Sequence, residues 1–171
     1  MIVGRALCNL FDDLSIVNGT VSVQNNYGNQ DALDKFIDMS NQKGVQKYPL
    51  IFYVVNEVKA IDKSWRSVET DLVIMMNTNS DMLYKERTDK VYSVYIEPIY
   101  REIESILTKN PYIQIIGGRL EEKFKYIDLP NYGIIKGDIS NTSQTKSVVT
   151  DYVDARIIKL NFRINTDCIN P

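Results

Sequence analysis

From Ile158 to Ile164 the chain alternates strictly, with Ile158, Leu160, Phe162 and Ile164 in one phase and Lys159, Asn161 and Arg163 in the other. A period of two predicts a strand with one face buried, and the closing strand is expected from Ala155 to Ile164. Tyr48-Pro49-Leu50-Ile51-Phe52-Tyr53-Val54-Val55 is apolar on both faces, the pattern of a central strand covered on each side. Its proline falls at the opening, where a missing N–H does least damage to the ladder. After the polar turn Ala60-Ile61-Asp62-Lys63-Ser64, a second long strand is expected from Trp65 to Met76. Val68, Thr70, Leu72, Ile74 and Met76 share one face, while Glu69 and Asp71 give way to Val73 and Met75 on the other. The short connection predicts an antiparallel pair.

Helical spacing occurs three times. Val3, Leu7, Leu10 and Leu14 make an amphipathic opening helix, with Ala6 and Phe11 beside them and Arg5, Asn9 and Asp13 opposite. Leu33, Phe36 and Ile37 predict a second short helix over Asp31–Met39, ended before Gly44. The longest runs from Thr88, a suitable N-cap, to Lys109, with Val91, Tyr95, Ile99, Ile103 and Ile106 on one stripe. Pro98 sits inside it and predicts a kink.

The remaining segments are weaker. Asn18-Gly19, between Ile16-Val17 and Val21-Ser22-Val23, predicts a two-residue hairpin turn. Asn25–Gln30 and Asn77–Arg87 read as polar loops. Tyr112–Ile116 is a short strand stopped by Gly117-Gly118, Arg119–Gly137 an irregular hairpin around Pro130-Asn131, and Asp138–Ser147 a loop rich in Ser, Thr and Asn. The fold class is therefore α+β: an antiparallel sheet packed against one long and two short helices. Residues 1–171 form a single structural domain, with a small hairpin within 16–24 and an extended insertion over 112–148.

The charge balance changes the picture by what it excludes. Twenty basic and 22 acidic residues leave a net charge of −2, interspersed along the sequence. That balance predicts neither an electrostatic grip on nucleic acid nor a basic membrane face. No run reaches the roughly 20 apolar residues that cross a bilayer, and the opening residues predict no secretion signal. Asn18-Gly19-Thr20 and Asn141-Thr142-Ser143 match the glycosylation pattern, a coincidence in a chain expected to stay in the cytosol or enter an assembly built there. Cys8 and Cys168 have two readings, a disulfide or two free thiols, and the reducing compartment favours thiols.

Candidate chemistry is sparse. The chain has no histidine, so histidine-based triads, general bases and metal sites are all excluded. Cys8 has no nearby cationic motif that would argue for a reactive thiolate and reads as a core thiol. Asp12-Asp13, and the Asp151 and Asp154 pair at the last strand, read as solvated carboxylates rather than metal ligands. Gly117-Gly118 follows a strand, but no phosphate-cradling helix follows it. Trp65 and the 11 tyrosines have no basic stripe beside them, so core and interface contacts are the expected uses, with some tyrosines at interfaces. No catalytic, cofactor-binding or metal-ligating residue is nominated, and an enzyme is not expected. The strands at Leu50–Val55 and Leu72–Met76 are apolar on both faces. Either internal helices cover them or a partner does.

The order of elements resembles a known family. A short N-terminal helix precedes the Tyr48-Pro49-Leu50-Ile51-Phe52-Tyr53 strand. A Trp-containing antiparallel strand (Trp65 to Met76), a long amphipathic helix (Thr88 to Lys109) and a closing strand (Ala155 to Ile164) follow. This is similar to the tail-terminator and head–tail connector, or neck ring, proteins of tailed bacteriophages, over about two-thirds of the chain. The residue usage, rich in Asn, Ile, Lys and Tyr, also resembles structural proteins of crAss-like phages.

That resemblance implies a virion protein forming a homo-oligomeric ring between portal and tail, with DNA passing through without sequence-specific binding. Loops Asn77–Arg87 and Asp138–Ser147 would dock onto neighbouring neck or tail rings and be dispensable for subunit folding. The hairpin at Ile16–Val23 and the region from Tyr112 to Ser147 depart from the family's smaller core. Two alternatives belong to other classes. One is a small non-catalytic binding or regulatory module acting as monomer or dimer. The other is a carboxylate-only enzyme, which would need a pocket of converging Asp and Glu.

Overall fold

The strictly alternating C-terminal strand organises the sheet around itself. A computed structural model describes residues 2–17, 19–29, 31–33, 35, 36, 47–79, 81–117, 123–130, 132 and 152–165. Its strands are β1 (Ser15–Ile16), β2 (Val21–Ser22), β3 (Gln24–Gly28), β4 (Leu50–Ala60), β5 (Trp65–Asn77), β6 (Ile113–Ile115), β7 (Tyr126–Leu129) and β8 (Val153–Asn165). The main sheet has the order β3-β4-β5-β8-β6, and β7 also pairs with β8. All its pairings are antiparallel except β3 with β4. Helix α1 (Ile2–Phe11) and a long helix starting at Tyr84 complete an α+β protein.

The two apolar strands pair antiparallel, from Leu50 opposite Met75 to Ala60 opposite Arg66, with a bulge between Val55 and Glu57. Both are interior strands, β4 between β3 and β5, and β5 between β4 and β8. One face carries Ile51, Tyr53, Val68, Leu72, Ile74, Ile158, Leu160, Phe162 and Ile164 against α1 and the long helix. The opposite face carries Leu50, Phe52, Val73, Met75, Val153 and Ala155 against Leu33, Phe36, Tyr48 and Tyr132. Leu50–Tyr53 and Leu72–Met75 are at most 2% exposed. Each such side chain gains about 1.5–3 kcal/mol over its exposed state. The sheet's apolar stretches are therefore sheltered within one chain, and a partner is not needed to cover them. Beyond them the second face turns polar, with Glu57, Lys59, Glu69, Lys159, Asn161 and Arg163 in solvent.

Several polar stretches fold differently from their pattern. Of the expected loop Asn25–Gln30, Gln30 lies outside the described residues and the part through Gly28 is strand: Gln24–Gly28 forms edge strand β3, in parallel register with Leu50–Val54. Its side chains are all half-buried, so no alternation marks it. The strand is held by close approach to α1, where a Cβ on Gly4 would lie 2.4 Å from the Tyr27 ring. Asn29 caps the helical residues that follow, its Oδ1 accepting from the Ala32 N–H at 3.0 Å. Residues 31–33, 35 and 36 are helical; the rest of Asp31–Met39 lies outside the described residues. The first hairpin pairs Ile16 with Val21 through a four-residue connection, not two, with positive φ at Val17 and Gly19.

The long helix begins a turn earlier than its pattern indicates. Tyr84–Arg87 is α-helical, Thr88–Ile96 π-helical and Glu97–Lys109 α-helical. Thr88 is thus inside the helix, its hydroxyl donating to the Tyr84 carbonyl. Pro98 falls in the first turn of the final α-segment. It has no N–H to give and its ring crowds the preceding turn. The helix answers by widening upstream, so that the Glu97 N–H reaches back to the Tyr92 carbonyl. Wide turns of this kind, like proline itself, are places where helices bend. Ile113–Ile115 and Tyr126–Leu129 both pair with β8; the loop at Asp138–Ser147 lies outside the described residues.

Candidate functional site

Two charged residues sit in the apolar phase of β8. Asp154 and Arg156 continue the even-numbered series of Ile158, Leu160, Phe162 and Ile164, and both are buried. Asp154 is therefore not a solvated carboxylate, and Asp151 lies outside the described residues. A charge in a buried phase needs a partner of opposite sign, and the long helix brings one to each.

Arg87 pairs with Asp154, with side chains 4% and 0% exposed. Its remaining N–H groups reach the carbonyls of Met82 and Asn79, at 3.0 Å each. The segment Asn77–Arg87 is consequently a clamped corner. Its first residue extends β5, its last turn is helical and its final side chain is core, so deleting it would remove an anchor of the fold.

Arg156 meets Asp128 of β7 as a bidentate pair, Nε to Oδ1 at 2.7 Å and Nη2 to Oδ2 at 3.0 Å. Its third nitrogen pairs with Glu97 of the long helix. The guanidinium lies 3.9 Å from the Tyr126 ring centroid and 5.1 Å from that of Tyr100. Burial tends to lower the Arg156 pKa, but hydrogen bonds to Asp128 and Glu97 outweigh it and raise it. Burial also pushes Glu97 up, while hydrogen bonds from Arg156 and Arg101 prevail and hold it below the ordinary carboxylate range. The charges on Arg156 and Glu97 are thereby secured at neutral pH.

A pocket of about 280 Å³ opens above this cluster, lined by Tyr84, Thr88, Tyr92, Glu97, Asp128 and Arg156 among others. Tyr92 is 9% exposed, and its hydroxyl makes no hydrogen bond to a described residue. Burial, then the carboxylates of Asp154 and Asp128, push its pKa up, so it remains a neutral phenol. A larger hollow of about 900 Å³ lies on the second face, where Asp71 stands opposite Lys159 across β5 and β8.

Elsewhere the chemistry is quiet. Cys8 has its thiol pushed up to about 12 by burial and by Asp12. A thiol held protonated is a poor nucleophile. Iodoacetamide at pH 8 should therefore modify Cys8 far more slowly in the folded chain than in the denatured one, read by peptide mass spectrometry; equal rates would contradict the buried-thiol reading. Asp12 accepts from Asn25 at 3.1 Å. Cys168 and Gly118 lie outside the described residues. Gly117 ends β6 with a φ of 145°, a turn glycine. Among the described residues no group of three or more His, Cys, Asp and Glu could hold a metal ion. Among them, too, no helix is long and apolar enough to cross a membrane.

The signal that could have located these two clusters is the phase of β8 itself, where two charges interrupt an apolar series. Their partners Arg87, Glu97 and Asp128 have no such mark, because the long helix and β7 find them only in three dimensions. No family model matches the chain, and no curated protein matches it.

Proposed function

We propose that this chain is a non-catalytic structural subunit, a neck-ring or tail-terminator-like virion protein that assembles head to tail into a closed ring around passing DNA. One observation carries the reading. With the sheet sheltered, ten described large apolar side chains are exposed; Val17, Val94, Tyr112, Tyr126 and Ile127 are scattered elsewhere, and the other five fall into two groups toward the sheet's opposite ends. Val58 and Ile61 lie at the β4–β5 hairpin; Leu83, Tyr84 and Tyr152 lie at the end where the long helix starts. Two different sticky patches at opposite ends suit a heterologous contact, the kind that closes rings.

The open half of the sheet supports the same reading. Its side chains mix both signs, Glu57 and Glu69 with Lys59, Lys159 and Arg163. A wall of that kind would let a duplex slide, because dense lysine and arginine would hold its phosphates. Portal, neck or tail proteins would be the neighbours of such a ring.

The test is the mass of the purified full chain by light scattering over a concentration range, with negative-stain imaging of the same samples. Closed rings of uniform diameter are the expected result. A monomer or dimer at every concentration would instead favour a small binding or regulatory module.

A further inference from the structure

Four stretches of strand border the main sheet, and two of them are partly closed from within the chain. Gln24 gives its N–H to the Pro49 carbonyl, so Val23 and Tyr27 turn theirs away from β4. The Val23 N–H donates to the Leu14 carbonyl at 3.0 Å, and that of Tyr27 to Asn26 Oδ1 at 2.8 Å. On β6 the outward N–H of Ile113 donates to the Asn110 carbonyl at 3.2 Å.

The other two edges stand open. Strand β3 stops at Gly28, opposite Val54, and leaves Glu57–Ala60 of β4 bare on that side. Past the bulge the odd residues of β4 bond to β5, as Ile61 does to Trp65, so the N–H and C=O groups of Val58 and Ala60 point outward. On the far side of the sheet, the Lys159 N–H bonds to the Lys125 carbonyl, so Tyr126 and Asp128 of β7 turn theirs outward in the same way. Among the described residues no group bonds to these outward donors and acceptors. Such a row is a template for another strand.

The two open edges match each other. Val58 stands opposite Val68 on the helix-covered face, and Tyr126 packs on Tyr100 of the long helix. Both outward sets therefore carry their side chains on the same face. Strands β4, β5, β8 and β7 alternate in direction, so β7 runs antiparallel to β4 of its own copy and of any copy set in the same orientation.

We infer that β7 of one copy pairs antiparallel with Glu57–Ala60 of the next, Asp128 opposite Val58 and Tyr126 opposite Ala60. The inference rests on the ring reading and names the joint between its subunits. Each of these pairs exchanges two hydrogen bonds. The helices of every copy fall on one side, and the contact is head to tail, as a closed ring requires. Val58 arrives beside the pocket that Asp128 shares with Tyr84, which brings the two apolar patches together. The neighbouring registers are worse. Sliding by two residues one way sets Lys59 opposite Lys125, and the other way sets Val58 opposite Pro130, which has no N–H. Within one copy Asp128 is level with Ile51, through Arg156 and Ile74. Placing it opposite Val58 steps each copy along the strands by about seven residues, roughly 23 Å at about 3.3 Å per residue. Closed sheets take up such a stagger as strand tilt.

Disulfide trapping in the full-length chain tests the joint. In this register Lys59 meets Ile127 at a non-hydrogen-bonded pair, where Cα atoms lie about 4.5 Å apart, within reach of a disulfide. Both side chains are exposed. Lys59→Cys protein mixed with Ile127→Cys protein and mildly oxidised should give a disulfide between positions 59 and 127, necessarily between copies, mapped by peptide mass spectrometry. Glu57→Cys in place of Lys59→Cys should give far less. Ala60→Pro removes an outward N–H that the subunit itself does not use, a change that edge strands tolerate. It should weaken self-association in light scattering about tenfold or more and leave urea unfolding at low protein concentration unchanged. The disulfide map decides on its own if the proline variant fails to fold. Rings that form with Ala60→Pro as readily as without it, or a disulfide from position 127 mainly to another site, overturn this joint and leave the ring standing. A folded chain that gives neither rings nor a mixed disulfide overturns both.

Discussion

Replacing Arg87 by methionine should destabilise the protein by about 3–5 kcal/mol, the cost of leaving a buried carboxylate without its charge partner. Asp154 is wholly buried, and the Arg87 side chain is 4% exposed, so water cannot take the arginine's place. The corner at Met82 and Asn79 loses two hydrogen bonds in the same step. Removing both charges is a different experiment. Arg87→Met with Asp154→Leu deletes the desolvation cost together with the attraction, and exchanges of this kind are often neutral or stabilising. The double variant should therefore recover most of the loss in urea unfolding. A double variant as unstable as the single one would mean that the corner's hydrogen bonds, not the charge pair, carry the energy.

Phe52→Ala should cost about 3–5 kcal/mol, as much as Phe162→Ala on the other face of the sheet. Both rings are fully buried, but in different clusters: Phe162 packs beneath the long helix, Phe52 among Leu33, Tyr48, Val73 and Met75. Equal losses in chemical denaturation would establish that both faces are dry in the isolated chain. A small loss at Phe52 alone would mean that its face is covered only on assembly. The outcome matters for the ring, since it decides whether subunits join through their sheet faces or through the ends.

The α+β class, the antiparallel pair of long strands and the long helix were legible because each carries an uninterrupted period. It is two in Ile158, Leu160 and Phe162, and four then three in Ile99, Ile103 and Ile106. What escaped has a common cause. Strand β3 is Gln24-Asn25-Asn26-Tyr27-Gly28, an edge held by backbone pairing to Leu50–Val54 that leaves its side chains half-wet. The shelter of the second sheet face was equally hidden, because Leu33, Phe36, Tyr48 and Tyr132 come from separate parts of the chain. The pocket was the least legible feature. Glu97 and Asp128 look like ordinary surface acids until Arg156, on the buried phase of β8, draws them together. Thr88 looked like a cap because nothing in the sequence shows how Pro98 is accommodated by wider turns before it.

Strand β8 lies between β5 on one side and β6 and β7, end to end, on the other. Among the described strands it is also the last to leave the ribosome. Until it emerges, Arg87 lacks Asp154, Asp128 lacks Arg156, and Glu97 has Arg101 alone. A nascent polypeptide therefore cannot complete its sheet until translation has passed Asn165, and the far edge of β5 stays unpaired until that moment.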